Sequence, residues 1–321
     1  MQWGNNFNTR FPLPALLSIC FNCPQSKILR MPQIIDSHVH FFDPTRPGGV
    51  PWPTADTPAL YKPALPPRLE NLSRPFGIAG CIAIECSPLL TDNDWLLKVA
   101  ESHPFVLGII GDLDPGDPAC PGQLDRLHRN PLFLGIRYGN LWNRDLLADL
   151  EKPHFIDVLK TLSEAGLVFE SANPDPRLIR ALLRIADALP RLRIVIDHLP
   201  NARVIADPNT VAIYRHNLAA LAQHPQVYVK LSEIPTIKDG VLIRDKQYYR
   251  EKLDPLWNLF GPDRVIFGSD WPNSDQIAPY DQTFAIVSEY ISTKSPAASE
   301  AYFWKNSKAA YGWNSRAAIQ P

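Results

Sequence analysis

The chain has 321 residues, of which 45% are hydrophobic and 20% charged, a composition typical of a globular protein with one large core. Its formal net charge of -1 and its sequence pI near 6.7 exclude the strongly basic surface that nucleic acid or an anionic membrane requires. We therefore expect a small-molecule partner, and a homo-oligomer is compatible with these values.

The cysteines indicate a reducing compartment. There are five, at positions 20, 23, 81, 86 and 120, and an odd count in a chain of this size is not a disulfide framework. Cys20 and Cys23 have C-x-x-C spacing, but no second pair and no histidine cluster accompanies them. We interpret that spacing as incidental and expect a cytoplasmic protein.

The amino-terminal residues 1–33 look separate from the rest. Residues 11–21 form an apolar stretch with two prolines, too short to span a bilayer and weak as a secretory signal. Met31 lies three residues before the first predicted strand. We expect residues 1–33 to be a disordered leader or an extension from a misassigned start, and translation then begins at either Met1 or Met31. Residues 34–313 are predicted to form one domain, and residues 314–321 a tail.

The first predicted strand carries a pair of histidines. Ile34, Ile35, Val39 and the phenylalanines after it give a short apolar run typical of a buried strand. His38 and His40 lie two residues apart, so a strand directs both side chains to the same face. In a closed parallel barrel that face is the interior, whose carboxyl end holds the active site.

A proline-rich segment follows. Residues 44–75 hold nine prolines, a density that disfavours helix and stiffens a loop. Because loops this long are usually functional, we predict a cover over the site with Trp52 and Tyr61 as apolar walls. A surface arm docked only for stability is the alternative.

From there the chain alternates between strands and helices. Apolar runs predict further strands, and apolar spacings of three and four predict helices between them, with a closing helical segment over 297–311. The predicted strands are 80–86, 105–111, 133–137, 167–170, 193–198, 227–232 and 264–270, and the predicted helices are 92–103, 123–129, 153–165, 176–188, 208–223, 247–260 and 281–292.

Eight strands alternating with helices predict an α/β fold, a single-domain (β/α)8 TIM-type barrel. A doubly wound open sheet is the runner-up, but no glycine-rich phosphate loop follows the first strand. In a barrel, the polar residues at the strand ends converge on one pocket, and ionisable groups there are costly to bury unless paired or bound. These residues are His38, His40, Glu85, Arg137, Glu170, His198, Lys230, Ser232 and Asp270.

Two chemistries fit this set. In one, His38 and His40, with help from His198, Asp270 and Glu85, bind a divalent metal that acidifies water and polarises a carbonyl. In the other, no metal is needed, because Asp270 deprotonates water while the histidines, Arg137 and Lys230 hold the carbonyl and any carboxylate of the substrate. The arginine fork favours an anionic or oxygen-rich substrate.

Three motifs together resemble the amidohydrolase superfamily, in particular its "amidohydrolase 2" branch of sugar lactonases and pyrone-dicarboxylate lactonases. They are Asp36-Ser-His38-Val-His40, Asp197-His198 and Gly268-Ser-Asp270-Trp-Pro272, and the similarity extends over about residues 33–313. The resemblance implies that Asp270 takes a proton from the attacking water. It also implies that His38 and His40 bind a metal or the substrate carbonyl, that His198 is the sixth-strand histidine, and that Arg137 is the arginine of lactonase-like members.

The sequence departs at two strands from the pattern of those family members that bind two metal ions. The fourth strand ends in Arg137 and the fifth carries no histidine, so a two-metal centre is not expected. One zinc or manganese ion on His38, His40, Glu85 and Asp270 is our prediction for a metal site, and a metal-independent mechanism stays open. An equally supported alternative is that Glu85 pairs with Arg137 or Lys230 instead of binding a metal.

We predict a hydrolase that opens the lactone of a sugar acid or a dicarboxylate. Asp270 and His198 are the catalytic candidates, and Arg137, Lys230 and Trp52 are the substrate-binding candidates. Two alternatives stay open: a metal-dependent decarboxylase of an aromatic or muconate-type acid, and a barrel that binds a sugar acid without turning it over.

Overall fold

The computed structural model describes residues 33–316, so the predictions for the amino-terminal segment, for Cys20 and Cys23 and for most of the tail lie outside it. Within these residues eight parallel strands form one sheet in sequential order. They are β1 Ile34–Val39, β2 Ile78–Ile84, β3 Val106–Gly111, β4 Phe133–Arg137, β5 Val168–Ser171, β6 Arg193–Ile196, β7 Val227–Leu231 and β8 Val265–Phe267.

The ends of β1 and β8 meet and close the sheet. The backbone N–H of His40 donates to the carbonyl of Trp271 at 2.8 Å, and the N–H of Asp270 donates to the carbonyl of His38 at 2.9 Å. The predicted (β/α)8 barrel is therefore confirmed, and the open-sheet alternative is wrong. These closing bonds lie at the carboxyl end, where β1 and β8 bring the histidine pair beside Asp270.

Helices surround the barrel, and all eight predicted helical segments are present to within a few residues. The helices are α1 Pro66–Ser73, α2 Leu90–Ser102, α3 Cys120–His128, α4 Leu146–Asp149, α5 Phe155–Glu164, α6 Pro176–Ala188, α7 Pro208–Leu221, α8 Lys246–Phe260, α9 Tyr280–Ile291, α10 Pro296–Glu300 and α11 Asn306–Tyr311. A π-helical turn, Ala301–Lys305, joins α10 and α11, and three short 3-10 turns cover Arg74–Phe76, Leu199–Asn201 and Asn273–Gln276. The described part contains no helix that is long and apolar enough to cross a membrane.

Several details depart from the sequence predictions, among them the short helix α4, which lies where no element is predicted. Helix α1 lies inside the proline-rich segment because Pro66 and Pro67 occupy its first two positions, where a missing N–H breaks no helical bond. A small hairpin of Ile237–Lys238 and Val241–Leu242 lies between β7 and α8, where we predicted loop.

The apolar core has two layers. Buried side chains between the strands and the helices form the larger one. The smaller one fills the barrel interior with residues such as Ile35, Ile84 and Ile266, and Tyr311 and Trp313 from the end of the chain pack against it. The interior below the carboxyl end is therefore a packed core, and polar groups collect above it.

Candidate active site

Three imidazoles surround one carboxylate oxygen at the carboxyl end of the barrel. The Oδ1 atom of Asp270 lies 3.4 Å from Nε2 of His38, 3.3 Å from Nε2 of His40 and 3.8 Å from Nε2 of His198. All four side chains are buried. The predicted same-face orientation of the two β1 histidines is confirmed, since both reach the same oxygen atom.

The tautomer of His40 follows from its backbone contact. Its Nδ1 lies 3.0 Å from the carbonyl oxygen of Ile84, and a carbonyl only accepts, so Nδ1 carries a proton. In the neutral ring, Nε2 then presents a lone pair to Asp270 Oδ1. Two acceptors at 3.3 Å repel unless a proton or a cation lies between them.

A buried network of charged groups holds His38 from below. Its Nδ1 lies 3.0 Å from Nζ of Lys230 and 3.3 Å from Oδ1 of Asp197. Lys230 also contacts Glu170 at 2.8 Å and Asp197 at 3.0 Å, and the Tyr311 hydroxyl donates to Glu170 at 2.6 Å. Such a network fixes the ring orientation of His38.

Lys230 departs from our prediction that it binds substrate. Its side chain has no exposed surface, and carboxylates and an imidazole surround its three N–H groups. It therefore positions His38 from beneath the site, and the notion of a direct substrate contact is corrected.

Glu85 departs from the predicted metal-ligand set. Its Oε1 accepts from Nε of Arg137 at 2.7 Å, and its Oε2 accepts from the backbone N–H of Ser87 at 2.9 Å. Both oxygens are thus engaged, and the structure shows the alternative in which Glu85 pairs with Arg137. Arg137 also approaches Asp197 with an Nη1–Oδ2 distance of 3.5 Å, so two buried carboxylates match its charge.

His40, His198 and Asp270 line an open cavity of about 420 Å³, which is large enough for a small ligand. His198 and Trp52 line it as predicted, whereas Tyr61 does not, and 40% of the Tyr61 side chain is exposed. The lining residues are His40, Trp52, Cys86, Arg137, Asn140, Leu141, Trp142, Asn143, Ala172, Asn173, His198, Glu233, Asp270 and Asn273.

Unusual backbone conformations concentrate in this lining. Among the described residues, eight non-glycine residues have positive φ, and six of them line the cavity: Trp142, Asn143, Asn173, His198, Glu233 and Asp270. Positive φ is costly for such residues and persists where the surroundings impose it, as at binding and catalytic sites. The backbone therefore marks the same cavity as the ionisable groups.

The surroundings of Asp270 keep it ionised. Burial alone would raise the pKa of this carboxyl, but the imidazoles of His198 and His40 outweigh burial and hold the pKa below its usual range. Burial, together with the charge of Lys230, lowers the pKa of His38 well below its usual value. The centre therefore combines a carboxylate with a neutral His38 imidazole.

Asp36, the first residue of the β1 motif, supports the centre without joining it. Its Oδ1 accepts from the backbone N–H of Ser269 at 2.8 Å, and its Oδ2 accepts from the Tyr280 hydroxyl at 3.0 Å. Burial raises the pKa of Asp36 to about 6. The residue thus ties β1 to the segment that carries Asp270 and to helix α9.

A divalent cation fits the donor set. His38, His40 and Asp270 each offer one ligand atom, and these atoms lie within 4.8 Å of one another. Both Nε2 of His38 and Oδ1 of Asp270 are buried without a hydrogen-bond partner among the described residues, which is costly unless a ligand completes them. Imidazole and carboxylate suit zinc and manganese.

Sequence reasoning missed several lining residues. Glu233 lies two residues after β7 and could have been found by extending the strand-end rule by one residue beyond Ser232. Asn140, Trp142, Asn173 and Asn273 lie in loops, where no periodic pattern marks them. They reach the cavity because the loops fold over the strand ends.

Comparisons with known proteins agree with this geometry. A family model described as amidohydrolase matches residues 35–313. An L-fucono-1,5-lactonase of Burkholderia ambifaria is 34% identical over 247 residues, which cover 75% of this chain and 80% of that protein. An L-fucono-1,5-lactonase of Burkholderia multivorans is 27% identical over 281 residues, covering 84% of this chain and 92% of that protein.

A solved structure shares the fold. It is the crystal structure of an amidohydrolase from Burkholderia multivorans with bound zinc, with a TM-score of 0.76 and 23% identity. The match covers 88% of this chain and all of that one. At that identity the likeness establishes the barrel architecture alone.

Proposed function

The chain belongs to the amidohydrolase family, and on that premise we propose that it is a hydrolase that opens the ester ring of a sugar-acid lactone with water. The observation that carries the proposal is the placement of Asp270 Oδ1 amid the Nε2 atoms of His38, His40 and His198. The relatives named L-fucono-1,5-lactonase support a sugar acid as the acyl part of the substrate.

Asp270 is the group that activates water. Its Oδ2 accepts a hydrogen bond from Nδ2 of Asn273 at 2.7 Å, which fixes the carboxylate and leaves Oδ1 to accept a proton. As water attacks, its oxygen bonds to the lactone carbonyl carbon and its proton passes to Asp270. The bond from that carbon to the ring oxygen then breaks, and Asp270 returns the proton to the ring oxygen.

The remaining polar groups stabilise the charge that forms on the carbonyl oxygen. His198 is held by Ser232, whose Oγ lies 2.9 Å from its Nδ1, so its Nε2 faces the cavity. Arg137 lines the same cavity with its fork oriented by Glu85. Groups that are already oriented stabilise an oxyanion without reorganisation during the reaction.

The proposal also includes a metal ion. His38, His40 and Asp270 would hold one divalent ion, with zinc or manganese as the candidates, which would acidify a bound water and polarise the carbonyl. The relevant support is the donor set of this chain, and the zinc-bound neighbour agrees with it. Glu85 is not included, because Arg137 and Ser87 engage its oxygens.

The two alternatives from the sequence fit less well. The described strand β5, Val168–Ser171, carries no histidine, and the two relatives named above for an activity are lactonases rather than decarboxylases. A barrel that only binds would not need an ionised carboxylate poised among three imidazoles.

The test is a panel of lactones followed by a pH indicator, because each ring opening releases a carboxylic acid. We expect sugar-acid lactones to open faster than their spontaneous rate, with aromatic acids releasing no CO2. Absence of turnover on every lactone would refute the function.

A further inference from the structure

We propose that Glu233 binds hydroxyl groups of the substrate, so that the enzyme selects lactones that carry neutral hydroxyls over lactones that carry a second carboxylate. This inference rests on the proposed function and narrows its substrate class. It assigns a binding role to a residue outside the central histidine and aspartate group.

Glu233 is placed to reach a bound ligand. It lies two residues after β7, lines the cavity together with His198 and Asp270, and is half-buried. Its backbone has φ of 54°, a costly conformation for a glutamate. The fold thus directs a carboxylate into the cavity at the expense of backbone strain.

Two carboxamides orient this carboxylate. Asn201 Nδ2 donates to Oε2 at 3.0 Å and to the Glu233 carbonyl at 2.8 Å. Asn273 Nδ2 lies 3.5 Å from Oε1 and donates to Asp270 at 2.7 Å. Asn273 therefore joins the binding carboxylate to the catalytic one.

Glu233 makes no direct ion pair. Among residues 33–316, no lysine, arginine or histidine nitrogen lies within 4.0 Å of its carboxylate, in contrast to Glu85, Glu170 and Asp197. A carboxylate has about four acceptor positions, and the two asparagines do not use them all. Hydroxyl groups of a sugar are suitable donors for the rest.

The rest of the lining suits the same ligand. Asn140, Asn143 and Asn173 offer neutral hydrogen-bonding groups, and Trp52 and Trp142 offer flat apolar walls. Sugars present hydroxyls at their edges and C–H groups on their faces, which match these two kinds of surface.

The described cavity lining offers no unpaired lysine or arginine to bind a second carboxylate on the substrate. Arg137 is the single lysine or arginine among the described lining residues. Glu85 and Asp197 match its charge at 2.7 Å and 3.5 Å. Glu233 would repel an added anionic group, so a dicarboxylate lactone is the less favoured substrate.

The test compares substrates and variants in the full-length protein. The substrates are a six-carbon aldono-1,5-lactone, a set of aldonolactones each lacking one hydroxyl, and 2-pyrone-4,6-dicarboxylate. The variants are Glu233→Ala and Glu233→Gln, with Glu251→Ala as the control on the exposed face of α8. Circular dichroism and thermal melts check that each variant folds.

We expect the parent enzyme to open the aldonolactone at least about 100-fold more efficiently than the dicarboxylate, because a like charge beside Glu233 is costly. Glu233→Ala should lower kcat/KM on the aldonolactone by about 10- to 100-fold, mainly through KM, because a hydrogen bond to a charged group is lost. The kcat/KM of Glu233→Gln should lie between the values of the parent and of Glu233→Ala, since glutamine keeps one acceptor oxygen. At least one deoxy lactone should be turned over equally by the parent and by Glu233→Ala.

Two results would overturn the inference while leaving lactone hydrolysis standing: equal efficiency on the dicarboxylate, or the same loss in Glu233→Ala for every deoxy lactone as for the parent substrate. A parent enzyme that opens no lactone would overturn the proposed function and the inference with it. The two kinds of failure are therefore distinguishable.

Discussion

Nε2 of His38 lies 3.4 Å from Oδ1 of Asp270, and neither atom has a hydrogen-bond partner among the described residues. Both are buried, and Nε2 of His40 lies 3.3 Å from the same Asp270 oxygen. Such atoms are costly to bury. A cation bound by both atoms therefore gains binding free energy.

The first prediction concerns the metal. We expect purified protein to contain about one equivalent of zinc or manganese, and His40→Ala to lose stoichiometric binding, because Nε2 of His40 is one of three donors. Metal analysis and the visible spectrum of the cobalt-substituted protein measure this without relying on turnover. The control is His216→Ala on the exposed side of α7.

A chelator experiment completes that test. Turnover should fall on metal removal and return with added zinc or manganese. Metal-free protein with undiminished lactone opening would contradict the prediction and would make His38 and His40 groups that bind the carbonyl directly.

The second prediction concerns Gly268, which precedes Ser269 and Asp270. A Cβ atom there would lie 2.6 Å from Cβ of His38, so Gly268→Ala must displace β1 at the histidine. We expect a loss of about 1–3 kcal/mol in the free energy of unfolding and a drop in kcat/KM of at least about tenfold. Urea unfolding and steady-state kinetics measure these.

Gly122→Ala is the matched control, because its Cβ would have no neighbour within 4 Å and α3 favours alanine over glycine. It should leave activity unchanged and stability equal or slightly higher. If Gly268→Ala behaves like this control, the inference that Gly268 packs closely against His38 is contradicted.

The third prediction concerns pH. Burial raises the pKa of Asp112 from 3.8 to about 6, and the hydrogen bonds from Arg144 only partly oppose this. Because the folded protein holds this proton more tightly, the contribution to stability is full below about pH 4 and is lost as the pH rises through 6. The stability advantage of the parent over Asp112→Asn should therefore shrink by about 1–3 kcal/mol between pH 4 and 7.

Denaturant unfolding at a series of pH values measures that difference. Asp125→Asn, at a residue whose side chain is 69% exposed, is the surface control. A difference for Asp112→Asn that is constant or grows with pH would contradict the prediction.

The barrel could be predicted from the sequence because its strands have strong local patterns. Apolar runs separated by helical periodicity located all eight strands, and β4 was predicted with its observed bounds, Phe133–Arg137. Period two placed His38 and His40 on one face, and the strand-end rule brought Asp270 to them. These inferences need only local geometry and the closure of the sheet.

The misses have a different physical origin. Whether Glu85 binds a metal or Arg137, and whether Lys230 faces substrate or lies beneath His38, depends on side-chain depth and on charge pairing across the barrel. Neither depth nor pairing has a signal in the spacing of residues. Glu233 and Asn273 lie in segments without periodicity, so only the folded loops bring them to the cavity.

The most direct test of the account is Asp270→Asn, measured on an aldono-1,5-lactone with the parent and with Asp275→Asn, an aspartate that pairs with Arg68 outside the described cavity lining. The central claim is that Asp270 takes the proton from the attacking water. We predict a fall in kcat of at least about 1000-fold for Asp270→Asn, with an unchanged circular dichroism spectrum and near-parent turnover in Asp275→Asn. Turnover by a folded Asp270→Asn protein within about tenfold of the parent would contradict the claim.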